Sequence, residues 1–312
     1  MTELTPASEP IVVIGESVMD LVVSGDQSAA HPGGSPANVA LGLGRLRVPV
    51  CFLTELGTDD YGRQICDHLR GNGVHLSVAE IGTTASAAAV IDPVTGSAHY
   101  DFKVTWSLTS GLPADISEAA HLHTGSIASV MEPGARVVAD LLSTSRKTAT
   151  ISYDPNVRPS LIVDGDAVRR RIAKLIALAD IVKCSDEDLE YIAPGLSAEQ
   201  AAQCWLDDGA ALVVITMGGS GALLAGRAET VTVPVREVAV SDTVGAGDSF
   251  MSALLAWLFK HDYLGIANRV RLASITGADL CALGDFCTRV AAVTVSRSGA
   301  NPPYLDEVRA PL

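Results

Sequence analysis

Short apolar runs alternate along the chain with longer segments that have helical spacing. The apolar runs are rich in β-branched residues and lack polar alternation; they lie at 11–14, 148–152, 180–183 and 211–216. Strands that are buried on both faces of a sheet have this pattern. The segments with helical spacing lie at 38–46, 61–70, 134–143, 167–178 and 198–208. We therefore predict an α/β fold with a mostly parallel sheet covered by helices on both faces.

Two stretches, 21–30 and 86–102, lack the helical period and break this alternation. The second stretch contains Asp92-Pro-Val-Thr-Gly96, a turn signal between segments of small and β-branched residues. We predict that both stretches are strands of a small separate sheet. Such a sheet is a candidate lid over the carboxyl ends of the main strands, and an ordinary surface hairpin is the alternative. The chain is interpreted as a single domain, 1–312, with a β lid built from about 16–32 and 84–108.

The composition indicates a folded acidic protein. The chain has 312 residues, of which 48% are hydrophobic and 19% charged, enough for a large core. Its 22 Lys and Arg against 36 Asp and Glu give a formal net charge of −14. This charge repels nucleic-acid phosphates and anionic lipid, so we expect neither as a partner. Helix N-termini and clusters of backbone N–H groups can still bind the phosphate of a small ligand.

The sequence also indicates the compartment. No apolar run approaches the length of a bilayer span, and residues 1–10 lack a basic stretch followed by an apolar one. We expect a cytoplasmic protein. The scattered cysteines never form a Cys-x-x-Cys pair, which favours buried, reduced thiols over a disulfide framework or a zinc site. They are Cys51, Cys66, Cys184, Cys204, Cys281 and Cys287.

The strongest candidate site lies in the segment 241–258. Gly245, Ala246 and Gly247 can direct successive N–H groups to one point, and an apolar, alanine-rich helix follows them. This arrangement predicts an anion site. Asp248 directly beside it is a cap or a base, and we favour the base because phosphoryl transfer to an alcohol requires one there. Asp242, before the glycines, is a cap, a turn residue or a cation ligand.

A second candidate segment runs from His31 to Leu46. Ser35 before Pro36 predicts a helix N-cap with proline at the first helical position. Gly33 and Gly34 let a ligand approach the main chain closely. Asn38 is a polar side chain in the first turn of an apolar helix. These features suit a polyhydroxylated ligand.

Other polar residues follow predicted strands, where they would share one crevice. Asp20 is a ligand contact or a solvated acid, and Arg158 after Asp-Pro-Asn is an anion or hydroxyl contact. The acids in 183–188 begin a helix or hold Mg²⁺ through water, and 216–221 forms a nucleotide contact or a tight hairpin.

Competing motifs are absent from the sequence. It contains no Gly-x-x-x-x-Gly-Lys loop, no Gly-x-Gly-x-x-Gly at the start of an early helix and no Gly-x-Ser-x-Gly elbow. His121 and His123 would share one face of a strand. Because no third ligand is spaced nearby, we expect packed or hydrogen-bonded histidines rather than a metal pair.

Two segments, Gly33-Gly-Ser-Pro-Ala-Asn38 and Asp242-Thr-Val-Gly-Ala-Gly-Asp248, together resemble the two signatures of the PfkB, or ribokinase-like, carbohydrate kinases. The resemblance runs over nearly the whole chain. It implies a doubly wound α/β domain with a small β lid. It also implies ATP with Mg²⁺ as cofactors, and transfer of the γ-phosphoryl group to a hydroxyl of a sugar or nucleoside.

The resemblance also implies roles for individual residues. Asp248 matches the catalytic base, and Gly245, Ala246 and Gly247 match the anion hole. The expected sugar contacts are Asp20, Gly33, Gly34 and Asn38, to which we add Arg158 as a substrate contact from its place after Asp-Pro-Asn. The expected nucleotide contacts are Ser185, Thr216, Gly218 and Gly221. The segment 297–301 resembles the stretch that closes the nucleotide pocket. Asp242 matches a ligand of a monovalent cation such as K⁺. Asp188 matches a residue that contacts Mg²⁺ through water.

The chain departs from the family at two of these positions, with Ser185 for the usual Asn and Asp188 for the usual Glu. Within the family, 154–158 and the first signature resemble fructokinases and 2-keto-3-deoxygluconate kinases more than ribokinases or adenosine kinases. The second signature resembles fructokinases. We therefore predict fructose as the acceptor.

Several alternatives stay open. The acceptor could be 2-keto-3-deoxygluconate, another ribokinase-type sugar or a nucleoside. Aromatic residues are only 4% of the chain, and Lys103 is the one cation in the candidate lid strands, which disfavours a nucleoside or a phosphorylated sugar. An alternative of another class is a sugar- or nucleotide-binding module without catalysis. Exposed lid edges would also permit a homodimer through the lid.

Overall fold

The computed structural model describes residues 9–24, 27–91, 98–109 and 119–309. The strands are β1 (Ile11–Ile14), β2 (Val18–Ser24), β3 (Gln27–Gly33), β4 (Val50–Gly57), β5 (His75–Ile81), β6 (Ser86–Ile91), β7 (Ala98–Lys103), β8 (His121–Gly125), β9 (Thr150–Asp154), β10 (Ile181–Ser185), β11 (Leu212–Thr216), β12 (Ala222–Gly226) and β13 (Thr230–Val233). The helices are α1 (Ser35–Arg45), α2 (Asp60–Arg70), α3 (Gly134–Ser145), α4 (Gly165–Leu178), α5 (Asp186–Ile192), α6 (Ala198–Asp207), α7 (Ala246–Lys260), α8 (Arg269–Ala273), α9 (Gly277–Val295) and α10 (Leu305–Arg309).

The larger sheet has nine strands in the order β13-β12-β11-β10-β9-β8-β1-β4-β5. From β11 to β5 every neighbouring pair is parallel. At the other end, β12 runs antiparallel to β11, and β13 antiparallel to β12. The predicted mostly parallel α/β sheet is confirmed.

Both faces of this sheet are buried, which explains the unbroken apolar runs. In β1 the neighbouring residues Val12 and Val13 point to opposite faces and belong to two separate hydrophobic clusters. The cluster that contains Val13 includes residues of α1, α7 and α9, and the cluster that contains Val12 includes residues of α3, α4 and α6. Most positions of the central strands therefore carry apolar side chains, because neither face meets water there.

Helix α7, whose first turn carries the predicted site residue Asp248, is buried along most of its length. Every residue from 248 to 258 is buried, and all of them except Asp248, Ser249 and Ser252 are apolar, as expected for a helix packed on every side. It packs between α1 and α9. Close packing on all sides fixes the position of its first turn, where Asp248 lies.

A second sheet has four strands in the order β3-β2-β6-β7. It consists of two antiparallel hairpins joined by a parallel pairing between β2 and β6. The prediction that 21–30 and 86–102 form a small separate sheet is confirmed, while the predicted turn at 92–96 lies outside the described residues. Strand β3 ends at Gly33 and α1 begins at Ser35, so this small sheet leads directly into the main body.

None of the six cysteines forms a disulfide, but Cys204 and Cys281 are exposed, so the prediction of buried thiols is wrong for these two. Both lie on the outer faces of α6 and α9, which pack against the sheet with their other faces. Among the described residues, no helix combines the length and the hydropathy needed to cross a bilayer.

Candidate active site

Asp248 is the centre of the candidate site. It is the third residue of α7, and its side chain is buried. Its Oδ1 accepts a hydrogen bond from Ser35 Oγ at 2.7 Å and faces Asn156 Nδ2 at 3.5 Å. Its Oδ2 accepts one from Asn38 Nδ2 at 2.8 Å. The cap residue of α7 is Gly245, and no side chain caps this helix, so Asp248 does not act as a cap.

Ser35 has a different role from the one predicted. Its hydroxyl makes no capping bond to α1, whose N-cap residue is Gly34, so the predicted N-cap is wrong. The hydroxyl donates instead to the Asp248 carboxylate, and a charged acceptor gives a stronger hydrogen bond than a backbone amide can. Pro36 does lie in the first turn, as predicted. Ser35 thus joins the site although sequence reasoning assigned it only a structural task.

The predicted anion site is the turn into α7. Gly245 has φ 74°, in the left-handed region, and a Cβ there would lie 2.6 Å from Cβ of Ala300. Only glycine therefore fits between this turn and the segment 297–301. Asp242 links the same two segments, because its Oδ1 accepts from the N–H of Val244 at 3.0 Å and its Oδ2 from that of Gly299 at 2.8 Å.

Of the three alternatives for Asp242, the structure shows the turn role. The N–H groups of Val244 and Gly299 lower the pKa of Asp242, so its carboxylate is ionised at neutral pH. Each carboxylate oxygen keeps a lone pair beyond the one that accepts the backbone N–H. The residue therefore fits a cation ligand as well as a turn residue.

Asp20 and the two glycines form a tight group beside Asp248. Asp20 pairs with His31 across the β2–β3 hairpin, and a Cβ on Gly33 would overlap its Oδ2. Gly34 has φ 98°, and a Cβ there would lie 2.8 Å from the carbonyl oxygen of Glu16. Backbone packing alone thus requires a glycine at 34, whereas a side chain at 33 would displace the Asp20 carboxylate. This is a reason that sequence reasoning did not consider.

The charge of Asp20 connects it to the rest of the site. Burial raises the pKa of Asp20 to about 6, although Arg158 and His31 oppose the shift. The carboxylate of Asp248 raises this pKa further, so the two acids lie close enough to repel each other. Asp20 is therefore part of the same charged cluster as the predicted base.

Arg158 is exposed at the mouth of this cluster. Its Nη1 donates to Asn156 Oδ1 at 2.5 Å and to the carbonyl oxygens of Asn156 and Val157, each at 3.1 Å. A cavity of about 440 Å³ lies beside it, between the segments 126–132 and 155–172, and shares Asn156 and Arg158 with the site. The loop after β9 thus connects the candidate base to an open space.

The predicted nucleotide residues lie at the carboxyl ends of β10 and β11. Ser185 and Thr216 are direct neighbours in the sheet. Thr216 Oγ1 donates to the carbonyl oxygen of Cys184 at 3.4 Å. Gly218 and Gly221 have φ of 48° and 94° in the turn between β11 and β12. The predicted tight hairpin is confirmed, and it follows the same edge of the sheet as the other candidates.

Asp188 is the third residue of α5 and forms a reciprocal capping arrangement with Ser185, the N-cap residue. Its N–H donates to Ser185 Oγ at 3.0 Å, while its Oδ2 accepts from the Ser185 N–H at 3.2 Å. Its Oδ1 accepts from the N–H of Val157 at 2.7 Å. Of the two alternatives for these acids, the structure shows the helix start, and the side chain also fixes the loop that carries Arg158.

The fit to Mg²⁺ depends on the ligands that remain. Within the described ranges, no three His, Cys, Asp or Glu side chains form a metal-binding group. Mg²⁺ commonly uses one or two carboxylates together with substrate phosphates and water rather than a cage of protein ligands. Asp188 has spare lone pairs for a water-mediated contact, so the residues present fit such an ion.

Sequence reasoning missed a buried ion pair next to Asp248. Lys183 Nζ donates to Asp154 Oδ2 at 2.8 Å, and the side chains are 4% and 1% exposed. Burial raises the pKa of Asp154 to about 6, although Lys183 opposes this shift. A lysine inside the apolar run of β10 was the available signal, because a buried lysine needs a paired carboxylate.

The expectation for the two histidines is confirmed. His121 lies between Thr150 Oγ1 at 2.8 Å and Ser152 Oγ at 2.7 Å, and His123 Nδ1 is 2.9 Å from Ser152 Oγ. Burial lowers the pKa of both side chains, that of His123 to about 3. Both are neutral and hydrogen-bonded in the core.

The site therefore combines a buried carboxylate, a glycine turn at a helix N-terminus and polar groups from several strand ends, an arrangement typical of phosphoryl transfer. The model of the pfkB family of carbohydrate kinases matches residues 8–307. The chain belongs to this family and is a carbohydrate kinase.

Individual relatives agree with this assignment. A fructokinase from Rhizobium leguminosarum bv. trifolii is 35% identical over 258 residues, 80% of this chain and 79% of the relative. The structure of the Xylella fastidiosa fructokinase with bound ATP has a TM-score of 0.84 at 26% identity and covers 96% of each chain. A double mutant of the Vibrio cholerae O395 fructokinase, with fructose, ADP and potassium ion bound, has a TM-score of 0.77 at 25% identity and covers 94% of each chain.

Proposed function

We propose that this carbohydrate kinase transfers the γ-phosphoryl group of ATP to a hydroxyl of fructose. The observation that carries the proposal is the meeting of two distant segments at one carboxylate. Ser35 and Asn38 of the first segment donate to the two oxygens of Asp248 in the second. The relatives named fructokinase, and the Vibrio cholerae structure with fructose and ADP, support fructose as the acceptor.

In this proposal Asp248 is the general base. The acceptor hydroxyl attacks the γ-phosphorus, its proton passes to Asp248, and the bond from the γ-phosphorus to the bridging oxygen of ADP breaks. Ser35 and Asn38 hold the carboxylate in one orientation during this step. The N–H groups of the turn 245–247 stabilise the negative charge on the transferring group.

The sugar would bind on the side of the small sheet. Asp20 accepts hydrogen bonds from sugar hydroxyls, and Gly33 and Gly34 let the ring approach the main chain. Asn38 and Arg158 would donate hydrogen bonds to other hydroxyls of the sugar. The electrostatic coupling of Asp20 to both Arg158 and Asp248 supports this arrangement.

The nucleotide would bind at the ends of β10 and β11. We assign Ser185, Thr216, Gly218 and Gly221 to this site because they lie together at that edge. The segment 297–301 closes the pocket. Its tie to Asp242 and its contact with Gly245 support this role.

Asp188 would contact Mg²⁺ through water, and the ion would neutralise phosphate charge. Asp242 would bind a monovalent cation, K⁺ in this proposal. The potassium ion in the Vibrio cholerae structure and the ionised, spare-lone-pair carboxylate of Asp242 support this assignment.

We propose a single domain, 1–312, in which the small sheet, built from about 16–32 and 84–108, is a lid over the sugar. The strands β3 and β7 are the edges of this sheet, and edge strands can pair between subunits, so a homodimer would form through the lid. We propose that the protein works in the cytoplasm, where its cysteines, none of which forms a disulfide, stay reduced.

A coupled assay of ATP consumption tests the function. Fructose, ribose, 2-keto-3-deoxygluconate and adenosine are compared at equal concentrations, and the phosphorylated product is identified by mass spectrometry. We expect the highest kcat/KM with fructose. A higher value with another acceptor would contradict fructose but not the kinase reaction. Sugar binding without any ATP consumption would contradict catalysis itself and favour a binding module.

A further inference from the structure

A buried lysine lies beneath the first turn of α7. Lys183 is the third residue of β10, and its Nζ contacts Asp154, the last residue of β9. Among the described residues, Asp154 is the one hydrogen-bond partner of this Nζ, although an ammonium group has three N–H donors. Asp154 Oδ1 is also buried without a partner in the described part of the chain. This pair is therefore not fully satisfied by the protein.

Lys183 is the positively charged member of a cluster whose other charged groups are carboxylates. Burial lowers the pKa of Lys183, but Asp154, Asp188 and Asp248 together outweigh burial and raise it above its usual value. One ammonium thus faces three carboxylates. Such a cluster would repel a nucleotide polyphosphate, and the repulsion is strong where burial limits screening by water. A fixed positive charge at this place favours the anionic ligand.

The ammonium also lies directly against the glycine turn. A Cβ on Gly247 would lie 3.2 Å from Lys183 Nζ, so no side chain separates the ammonium from the backbone of this residue. Gly247 is the last of the three residues whose N–H groups form the proposed anion hole. The positive end of the α7 dipole and the Lys183 ammonium therefore both stabilise negative charge at the proposed anion hole.

We propose that Lys183, held by Asp154, is a positioning residue of the phosphoryl-transfer site that stabilises negative charge on the transferring group from behind the turn 245–247. The inference rests on the proposed kinase function. Lys183 exchanges no proton and forms no bond: the sugar oxygen bonds to phosphorus, ADP leaves and the hydroxyl proton goes to Asp248. The alternative is a pair that serves only the fold, and the test separates the two.

The first measurement compares Lys183→Met with the double variant Asp154→Asn and Lys183→Met. Replacing both partners of a buried ion pair by neutral groups often preserves stability, whereas removing one partner destabilises the fold. We therefore expect the double variant to regain the unfolding temperature that the single variant loses. We expect kcat to stay about 10- to 100-fold low in both, less than the roughly 100- to 1,000-fold loss for a direct oxyanion donor. KM for the sugar should stay unchanged.

The second measurement is a binding experiment. ADP with aluminium fluoride and fructose mimics the transferring group, while ADP alone and fructose alone represent the ground state. We expect the double variant to lose affinity for the mimic by about the same factor as kcat, and to bind ADP and fructose as the wild type does. A structural role would weaken all three or none.

The neutralised pair Asp180→Asn with Arg269→Met is the matched control. Asp180 directly precedes the amino end of β10, and Arg269 Nε lies 2.9 Å from its Oδ1. This control should keep the wild-type kcat. Recovery of kcat in the Asp154/Lys183 double variant, or equal loss of all three affinities, would overturn the proposal. A wild type that phosphorylates no sugar would instead overturn the proposed function.

Discussion

Buried charged side chains have different hydrogen-bond partners at the amino ends and at the carboxyl ends of the parallel strands. We call these two sides of the main sheet the amino edge and the carboxyl edge. At the amino edge, Asp180 accepts hydrogen bonds from the N–H of Ile151 at 2.8 Å and from Arg269 Nη2 at 3.1 Å. At the carboxyl edge, Asp154 has one oxygen without a partner among the described residues. Burial raises the pKa of Asp154 and of Asp20 to about 6. The amino edge thus satisfies its acid, whereas the carboxyl edge leaves an acid with an unpaired oxygen.

This difference follows from the topology of parallel strands. Loops that leave the carboxyl ends converge on one crevice, where side chains from distant segments meet. A ligand can complete their hydrogen bonds there, whereas at the amino edge the protein must complete them itself. We therefore expect changes at the carboxyl edge to affect catalysis and changes at the amino edge to affect stability.

The largest expected effect is at Asp248. The variant Asp248→Asn keeps the shape of the side chain and can still accept from Ser35, but it cannot take a proton from the acceptor hydroxyl. We expect kcat to fall roughly 100- to 10,000-fold, the usual contribution of a general base. Steady-state kinetics measure kcat, and calorimetry measures sugar affinity, which should change little. Wild-type turnover in this variant would remove Asp248 from the chemistry.

The amino-edge counterpart is Asp180→Ala. It removes the partner of the Arg269 guanidinium and of the buried Ile151 N–H, so it should lower the free energy of unfolding. We expect about 2–3 kcal/mol, because charged hydrogen bonds are lost but Arg269 retains access to water. Urea denaturation measures this loss, and kcat of the folded protein should stay unchanged. A drop in kcat without loss of stability would contradict the distinction between the edges.

A smaller effect concerns pH and Asp20. Below about pH 6 this side chain becomes protonated and loses an acceptor for sugar hydroxyls. We expect KM for the sugar to rise by up to about tenfold per pH unit below that value in the wild type. In Asp20→Asn, KM should be high at all pH values and lack this slope. Parallel pH profiles of the two proteins would contradict the assignment.

The same pKa shift has a consequence for stability. The value is raised from 3.8 to about 6, so the native state binds this proton more tightly than the unfolded chain does. The cost of burying the charged form is therefore present above about pH 6 and disappears as the pH falls towards 3.8. We expect Asp20→Asn to be more stable than the wild type at pH 8 and equally stable at low pH, measured by thermal unfolding.

The fold was predictable where local pattern and burial agree. Strand β11 and helix α2 lie close to their predicted places, because apolar runs and helical spacing are local signals. Strand β4 was missed, although all its residues are buried, because it contains Thr54 and Glu55. Glu55 is satisfied by the N–H and hydroxyl of Ser107, 52 residues away, which no local pattern can reveal.

The candidate site was predictable to a similar extent. Asp248 and Asn38 stood out because their residue types are unusual beside glycines and in an apolar helix. The role of Ser35 could not be predicted, because its partner lies 213 residues further along the chain. Lys183 lies within β10 and Asp154 ends β9, and only the parallel pairing of these two strands brings the side chains together.

The smallest expected effect is at a charge pair remote from both edges. Arg47 Nη2 lies 2.6 Å from Asp306 Oδ2, and both side chains are 65% exposed. Water and salt screen such a pair, so Arg47→Ala should change the free energy of unfolding by at most about 1 kcal/mol. Urea denaturation at low and high salt measures this change, and kcat should equal that of the wild type. A loss as large as that of Asp180→Ala would show that hydrogen-bond geometry alone, and not burial at a sheet edge, determines what a charged pair contributes.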